Sequence, residues 1–422
     1  MSLLVLVIGT VLFSRNFSNI HITLFSIPIY VTEIVLLIFI IKHTLRGIYF
    51  RKVSLIYPKC ISLELKVMAI LFIYSIVWGL AHYSDMVMIL RHAAMYYYML
   101  FLFIIPLELN TIKKIETVLE MYLIATIVVL VGPYVKINFF GLARFNYFYI
   151  ALSFLMLVSL IYSGAIKKKI IYEILIGLFA IELVLSQVRA IWMGILAAIL
   201  FVTVLSNHFA IALKIFSNIF KRAIAFIVIF LSLFSVINND VIIEIGQEVL
   251  SIVMASKEHD DSSNNAKWRL YVWKDIIEET AEKPVFGWGF GKKFVPKTIA
   301  KLGWGGSWRD PSAGNPEAKG FQDPHNSFLS ILHRTGVVGL VVMVSLFIKF
   351  IVTMANGLLR IRDNKIKSYI FGLLLCIICI LFTSSFMVVL EGPYMGILLW
   401  IGMGIIVSLN RISMHSAQRE NV

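Results

Sequence analysis

Charge is scarce in this sequence. Asp, Glu, Lys and Arg make up only 15% of its 422 residues, against about a quarter in soluble domains. That shortage, with 59% apolar residues and a mean hydropathy of +0.88, excludes a soluble globular chain and leaves a polytopic membrane protein. Period-2 alternation is missing from the apolar runs, which are roughly 15–23 residues long. Its absence excludes a membrane β-barrel and leaves helices, the other backbone the bilayer core admits. Cysteine is rare as well. Cys60, Cys376 and Cys379 all lie outside the long polar segment, so no disulfide staples that segment. Cys376-Ile377-Ile378-Cys379 has CxxC spacing but sits in an apolar helix, where two small packing residues are expected over a redox pair. No basic leader or small-residue cleavage site marks Met1–Phe13, so it is expected to be a retained first span.

The charges that are present carry information. The balance is +14, and the basic residues sit in short loops between apolar runs, so nucleic acid is not the implied partner. Membrane lipids are. Spans are expected at about 2–14, 26–42, 63–82, 86–107, 117–136, 147–163, 170–188, 190–206, 222–238, 336–355, 366–387 and 392–409, about twelve in all. Arg46, Arg51, Lys52 and Lys59, then Lys167–Lys169, then Lys214, Lys221 and Arg222, then Arg360, Arg362, Lys365 and Lys367 occupy alternate loops. The positive-inside rule puts those loops and both termini in the cytoplasm. The long polar segment, about 239–322, then lies outside. The chain divides into residues 1–238 (spans one to nine), 239–335 (the external loop with its reactive elements) and 336–422 (spans ten to twelve).

Within the loop, Asn264/Asn265 are positioned to cap a helix over about Ala266–Ala281 that stops before Pro284. One side carries Trp268, Tyr271/Val272, Asp275 and Glu279. The other carries Leu270, Trp273, Ile276/Ile277 and Thr280, and that second stripe is expected to rest on the membrane or the bundle. Pro284-Val-Phe-Gly-Trp-Gly-Phe-Gly291 reads as a tight turn. It is not a nucleotide loop, since no Lys-Ser/Thr follows and no strand precedes. Gly303–Pro316 is turn-rich, and its Trp304 and Trp308 could stack on sugar faces or anchor at the interface.

Candidates for chemistry gather on the external face. Arg189 opens a span after Ser186-Gln-Val; the alternative for it is a snorkelling interface arginine. Arg269 is on the first turn of the loop helix, where a solvated helix charge is the alternative. His325 follows Pro324, which holds Asp323 extended and helps set where the next helix begins; a cap or packing role is the alternative. Glu391 sits at the outer end of the last hairpin, where an interface carboxylate is the plain reading. Arg91-His92, inside the fourth span, is the best support for the rival view of a lipid-oligosaccharide transporter. Against that view stand the lack of a pseudo-repeat and of paired broken helices. The lack of an external coiled coil disfavours a chain-length scaffold. Arginine forks suit phosphate oxygens, and a neutral histidine can take a proton from a hydroxyl. No aspartate-rich cluster is present to place a metal on a diphosphate. Together these residues could hold a lipid diphosphate and activate an acceptor alcohol without a metal or cofactor.

The order of these features resembles the O-antigen ligase/polymerase superfamily. The resemblance rests on the Arg189-Ala190 span start, Arg269-x-x-x-Trp273, Pro284-x-x-Gly287-x-Gly289, and His325-Asn326-x-x-Leu329 before Gly336-x-x-Gly339. It is densest over 183–355. It implies an all-α, GT-C-like glycosyltransferase of the bacterial inner membrane with undecaprenyl-diphosphate glycan as donor and a glycan or lipid A core as acceptor. It also implies a chain-length regulator as partner. By resemblance, Arg189 and Arg269 hold the diphosphate and His325 is the general base. Arg144, in Leu142-Ala-Arg-Phe-Asn146, matches a family arginine segment in part, and Glu391 sits where family members often have an acid. Arg334, in the Arg334-Thr335-Gly336 run, joins Arg91 among the further basic candidates. That run looks closer to polymerases than to ligases.

Overall fold

The computed structural model describes residues 2–24, 27–50, 57–132, 147–162, 169–186, 188–205, 260–298, 324–391 and 395–420. They are almost entirely helical. Each expected span overlaps a helix except 222–238, which lies outside the described residues. Five helical stretches are long and apolar enough to cross a membrane: Lys59–His82, Met86–Glu108, Ser327–Arg360, Asn364–Ser384 and Met395–His415. Ser2–Phe13, Tyr147–Ile161 and Arg189–Phe201 are shorter apolar helices.

Three expectations need correction. The second span does not begin at 26. Ile27–Tyr30 is a strand paired antiparallel with His21–Leu24, and the helix starts at Val31. Pro28 lacks an N–H and pushes Ile27 towards extended backbone, so this stretch pairs as a hairpin. It is the departure from an all-helical chain among the described residues. The loop helix runs Asp260–Ala281, so Asn264 and Asn265 lie inside it and do not cap it. Third, Met86–Glu108 is not one smooth helix. Tyr98–Leu100 tightens to a 3-10 turn, and Pro106 sits in the last segment.

Ion pairs mark both ends of the bundle. At one, Lys42 and His43 meet Glu108 at 2.5 and 2.8 Å, Lys365 meets Glu116 at 2.6 Å, and Lys349 reaches Glu64 at 2.5 Å. At the other, Lys293 meets Asp85 at 3.1 Å. Asp85 also caps the helix that follows by accepting from the Met88 N–H at 3.0 Å. Helix Ser62–His82 runs from the first end to the second, and Met86–Glu108 returns. Cys376 and Cys379 are buried and unbridged in Asn364–Ser384; the Cys376 thiol donates to the Leu152 carbonyl at 3.3 Å. Gly194 lets the helix that begins at Arg189 come close: a Cβ there would sit 2.6 Å from Thr383 Oγ1 and 3.0 Å from the Cys379 carbonyl.

Candidate active site

The long helix Ser327–Gly357 is broken at Gly336, whose φ of 66° and ψ of −169° are non-helical. A continuous helix would pair the Val337 and Val338 N–H groups with the carbonyls of His333 and Arg334. Here those donors go to Pro284 O at 2.8 Å and Val285 O at 3.2 Å. The freed carbonyls of His333 and Arg334 accept from Trp288 N and Gly289 N, both at 2.9 Å. The aromatic–glycine turn 284–291 therefore replaces one helical rung pair with four inter-segment bonds, so the break leaves no orphaned backbone group there. Only glycines fit the joint. A Cβ on Gly336 would lie 2.2 Å from Val285 O, and one on Gly287 would lie 2.6 Å from His333 O. The far end of the turn is tied down too. Phe290 N donates to Ser75 O at 3.1 Å, and Gly291 N donates to Nδ1 of buried His92 at 3.1 Å.

This joint holds the loop helix against the start of the broken helix. Trp268, Val272, Ile276 and Phe294 form a small buried cluster, with Tyr271 and Leu329 packed on it. The buried face is thus mainly the Trp268–Val272–Asp275 stripe, with Ile276 and Thr280, while Leu270 and Ile277 are exposed. Trp273, Ile276 and Thr280 of the expected stripe pack inward, and the Trp268–Val272–Asp275 stripe is buried beside them. The apolar content of the two stripes is similar, and Phe294 and Leu329, which lie far along the chain, cover the latter. Below the cluster, Glu279 lies 3.6 Å from His333 and 3.4 Å from Lys292. Burial pushes the Glu279 carboxyl up, but the neighbouring His333 and the Lys292 amine outweigh it, so it sits below its ordinary value.

His325 stands where these pieces meet. It is exposed, at φ 50°, a left-handed conformation that a non-glycine residue holds at a cost of order 1–3 kcal/mol. Asn326 caps the helix behind it, its side chain accepting from Phe328 N at 3.0 Å and Leu329 N at 3.1 Å. Ahead of it, the Pro324 carbonyl accepts from Trp273 Nε1 at 2.7 Å. The Trp268 ring lies edge-on to the imidazole with centroids 5.3 Å apart. Two tryptophans of the loop helix thus bracket the histidine, and Arg269, half-buried, is the next residue after one of them.

Glu391 joins the same place from another element. Its Oε2 accepts from Ser327 Oγ at 2.6 Å, and that hydroxyl accepts from Val389 N and Leu390 N, both at 3.1 Å. Arg189 is exposed at the first turn of its helix. The Ala190 carbonyl accepts from Thr383 Oγ1 at 3.4 Å, and Phe386, three residues on, packs on Trp273 with centroids 6.4 Å apart. Arg189, Arg269, His325 and Glu391 therefore share one end of the bundle. Arg91 is exposed and precedes the buried His92 that accepts from Gly291 N, and Arg334 precedes Thr335, whose hydroxyl meets that of Tyr96 at 2.9 Å. Arg334 is buried and lends its carbonyl to Gly289. Arg144, Asp323, Trp304 and Trp308 lie outside the described residues.

Sequence reasoning missed Ser327 as the link to Glu391, the Glu279–His333 pair, and His92 as an acceptor. The tryptophan spacing on the loop helix was a usable signal for the bracket around His325. Residues 174–344 match a protein-family model described as O-antigen ligase. That stretch contains Arg189, Arg269, His325 and Arg334, and leaves Arg91, Arg144 and Glu391 outside. No curated protein matches the chain.

Proposed function

We propose, from the premise that residues 174–344 carry a domain of the O-antigen ligase/polymerase superfamily, that this chain is a membrane glycosyltransferase. Its donor is an undecaprenyl-diphosphate-linked glycan and its acceptor is a sugar hydroxyl outside the cytoplasm. The observation that supports this reading is the Trp268–His325 contact, in which an exposed histidine meets the residue that precedes Arg269, at the end of the bundle away from the basic loops.

His325 takes the proton from the acceptor hydroxyl, whose oxygen attacks the anomeric carbon. The bond to undecaprenyl diphosphate breaks with inversion, and Arg189 and Arg269 hold the charge that grows on the leaving diphosphate. Two guanidinium groups supply there the charge that a divalent ion supplies in other phosphate chemistries. Glu391 and Ser327 fix the start of the helix that presents His325. Arg144 is a further donor contact in this scheme, while Arg91 and Arg334 support the turn. The site faces outward across the inner membrane, with both termini cytoplasmic.

The acceptor in the first reading is another lipid-linked repeat unit, which makes the enzyme a polymerase. The form Pro324-His-Asn-Ser-Phe-Leu329 with Arg334-Thr335-Gly336 favours it. The second reading is a ligase that passes the glycan to lipid A core, and the description of the matched family favours that one. A gel of surface lipopolysaccharide from a strain lacking the gene, with the lipid-linked pool beside it, separates them. Core bearing a single repeat identifies the polymerase. Bare core with long lipid-linked polymer identifies the ligase. Repeats retained on the cytoplasmic side with neither pattern would overturn both.

A further inference from the structure

Two large apolar side chains at the tip of the aromatic–glycine turn take no part in the joint below them. Val285 is 52% exposed and Phe286 is 47% exposed, whereas Phe290 in the same turn is fully buried. Their surroundings say what covers them. Helix Ser62–His82 exposes Ile70, Ile73 and Val77 along one face, and it lies within a stretch apolar enough to cross the membrane. Tyr74, on that helix, holds the Phe286 ring at a centroid distance of 5.5 Å. On the other side, the helix that starts at the joint exposes Val337, Val341 and Ile348, again within a membrane-crossing stretch. Val285 is stitched by its carbonyl to Val338 of that helix. The tip thus continues two rows of exposed apolar side chains on helices long and apolar enough to cross a membrane.

The residues that flank the tip are those of a bilayer boundary. The Lys283 amine lies 4.5 Å over the Trp78 ring and 4.4 Å over Trp288, and Lys292 lies 4.5 Å over Trp288. His82 stacks on Trp78 with centroids 4.0 Å apart. Tryptophans with cations on their faces suit the headgroup level, where one side of the ring is apolar and the other wet. We infer that Val285 and Phe286 enter the acyl-chain region of the leaflet on the site's side, so that the turn is a membrane anchor, with lipid acyl chains as its partner. The same turn holds the break in the Ser327–Gly357 helix, so the anchor sets the height of His325 and Arg269 over the lipid surface. This goes beyond the proposed chemistry and does not depend on it.

The test is spin-label accessibility in the full-length protein reconstituted in phospholipid vesicles. The label is placed at Phe286→Cys in a Cys60→Ser background. Ile73→Cys serves as the lipid control and Lys297→Cys as the aqueous control. The label at 286 is expected to collide often with oxygen and to lose collisions with a water-soluble nickel chelate to the level seen at 73. Nickel collisions as frequent as at 297 overturn the anchor. So does shielding from both reagents with dipolar broadening between labels, which marks a second copy as the cover. If Phe286→Cys does not yield folded protein, Val285→Cys on the same tip decides between the same outcomes. Because no sugar transfer is read, failure here leaves the glycosyltransferase proposal standing, and failure of that proposal leaves this one standing.

Discussion

Gly287 and Gly336 meet backbone to backbone: a Cβ on Gly287 would lie 2.6 Å from Gly336 N, and both residues have φ of 66°. Their contact is what lets the turn take over the hydrogen bonds of the broken helix. Gly336→Ala forces a Cβ into Val285 O in a left-handed backbone. It should cost roughly 2–4 kcal/mol from conformation and overpacking together. Thermal unfolding in detergent should show the loss, and Gly357→Ala, where a Cβ meets nothing within 4 Å, should show none.

His325→Ala should lower turnover by roughly two to four orders of magnitude, the range for a general base. Trp268→Phe should keep much more activity, because a ring still meets the imidazole. Trp268→Ala empties part of the small cluster and should cost about 3–5 kcal/mol of local stability as well. Limited proteolysis of the loop, run beside the activity assay, separates these effects.

Arg189→Lys and Arg269→Lys keep the charge and lose the planar fork. Each should lower turnover roughly 10- to 100-fold, the worth of a charge-assisted hydrogen bond. Full activity in either variant would mean that only net charge matters at that position.

Ser327→Ala removes the donor to Glu391 and the acceptor for Val389 N and Leu390 N. A buried carboxylate then loses a partner, and stability should fall by roughly 1.5–3 kcal/mol. Ser327→Thr keeps the hydroxyl and should recover part of the loss in the same unfolding assay.

The Glu279 carboxyl gives a pH dependence with a definite sign. Its folded value is depressed below 4.5 by His333 and Lys292 despite burial. Its contribution to stability is therefore complete above the unfolded value and is lost as pH falls through the lower, folded one. The melting temperature of the wild type relative to Glu279→Gln should be constant near neutrality and should shrink below about pH 4.5.

Much of the bundle was legible because membrane spans announce themselves by length and by the charges that flank them. Pro324 signalled that a helix begins nearby, but the span was expected only from 336 and the Asn326 cap that starts it at Ser327 was not read; the turn was legible in its alternating glycines. Less of the site could be read. The exchange at Gly336 needs two segments some fifty residues apart to be seen side by side, and Gly-x-x-Gly in an apolar run reads first as helix packing. The docking of the loop helix was legible in part: Trp273, Ile276 and Thr280 pack inward as their stripe suggested, while Trp268 and Val272 are buried as well because Phe294 and Leu329 dock on them. The Ile27–Tyr30 strand was hidden because its apolar residues run straight into those of the helix after it. The link from Ser327 to Glu391 joins residues 64 positions apart and has no local signal.

The most direct test of the account is elongation by the purified protein in vitro. Wild type and His325→Ala, each in lipid vesicles, are given a synthetic undecaprenyl-diphosphate oligosaccharide of the strain's own repeat unit, and product length is followed on a gel. The account predicts a ladder from the wild type and single repeats from His325→Ala at equal amounts of folded protein. A ladder of the same length and rate from His325→Ala would contradict it.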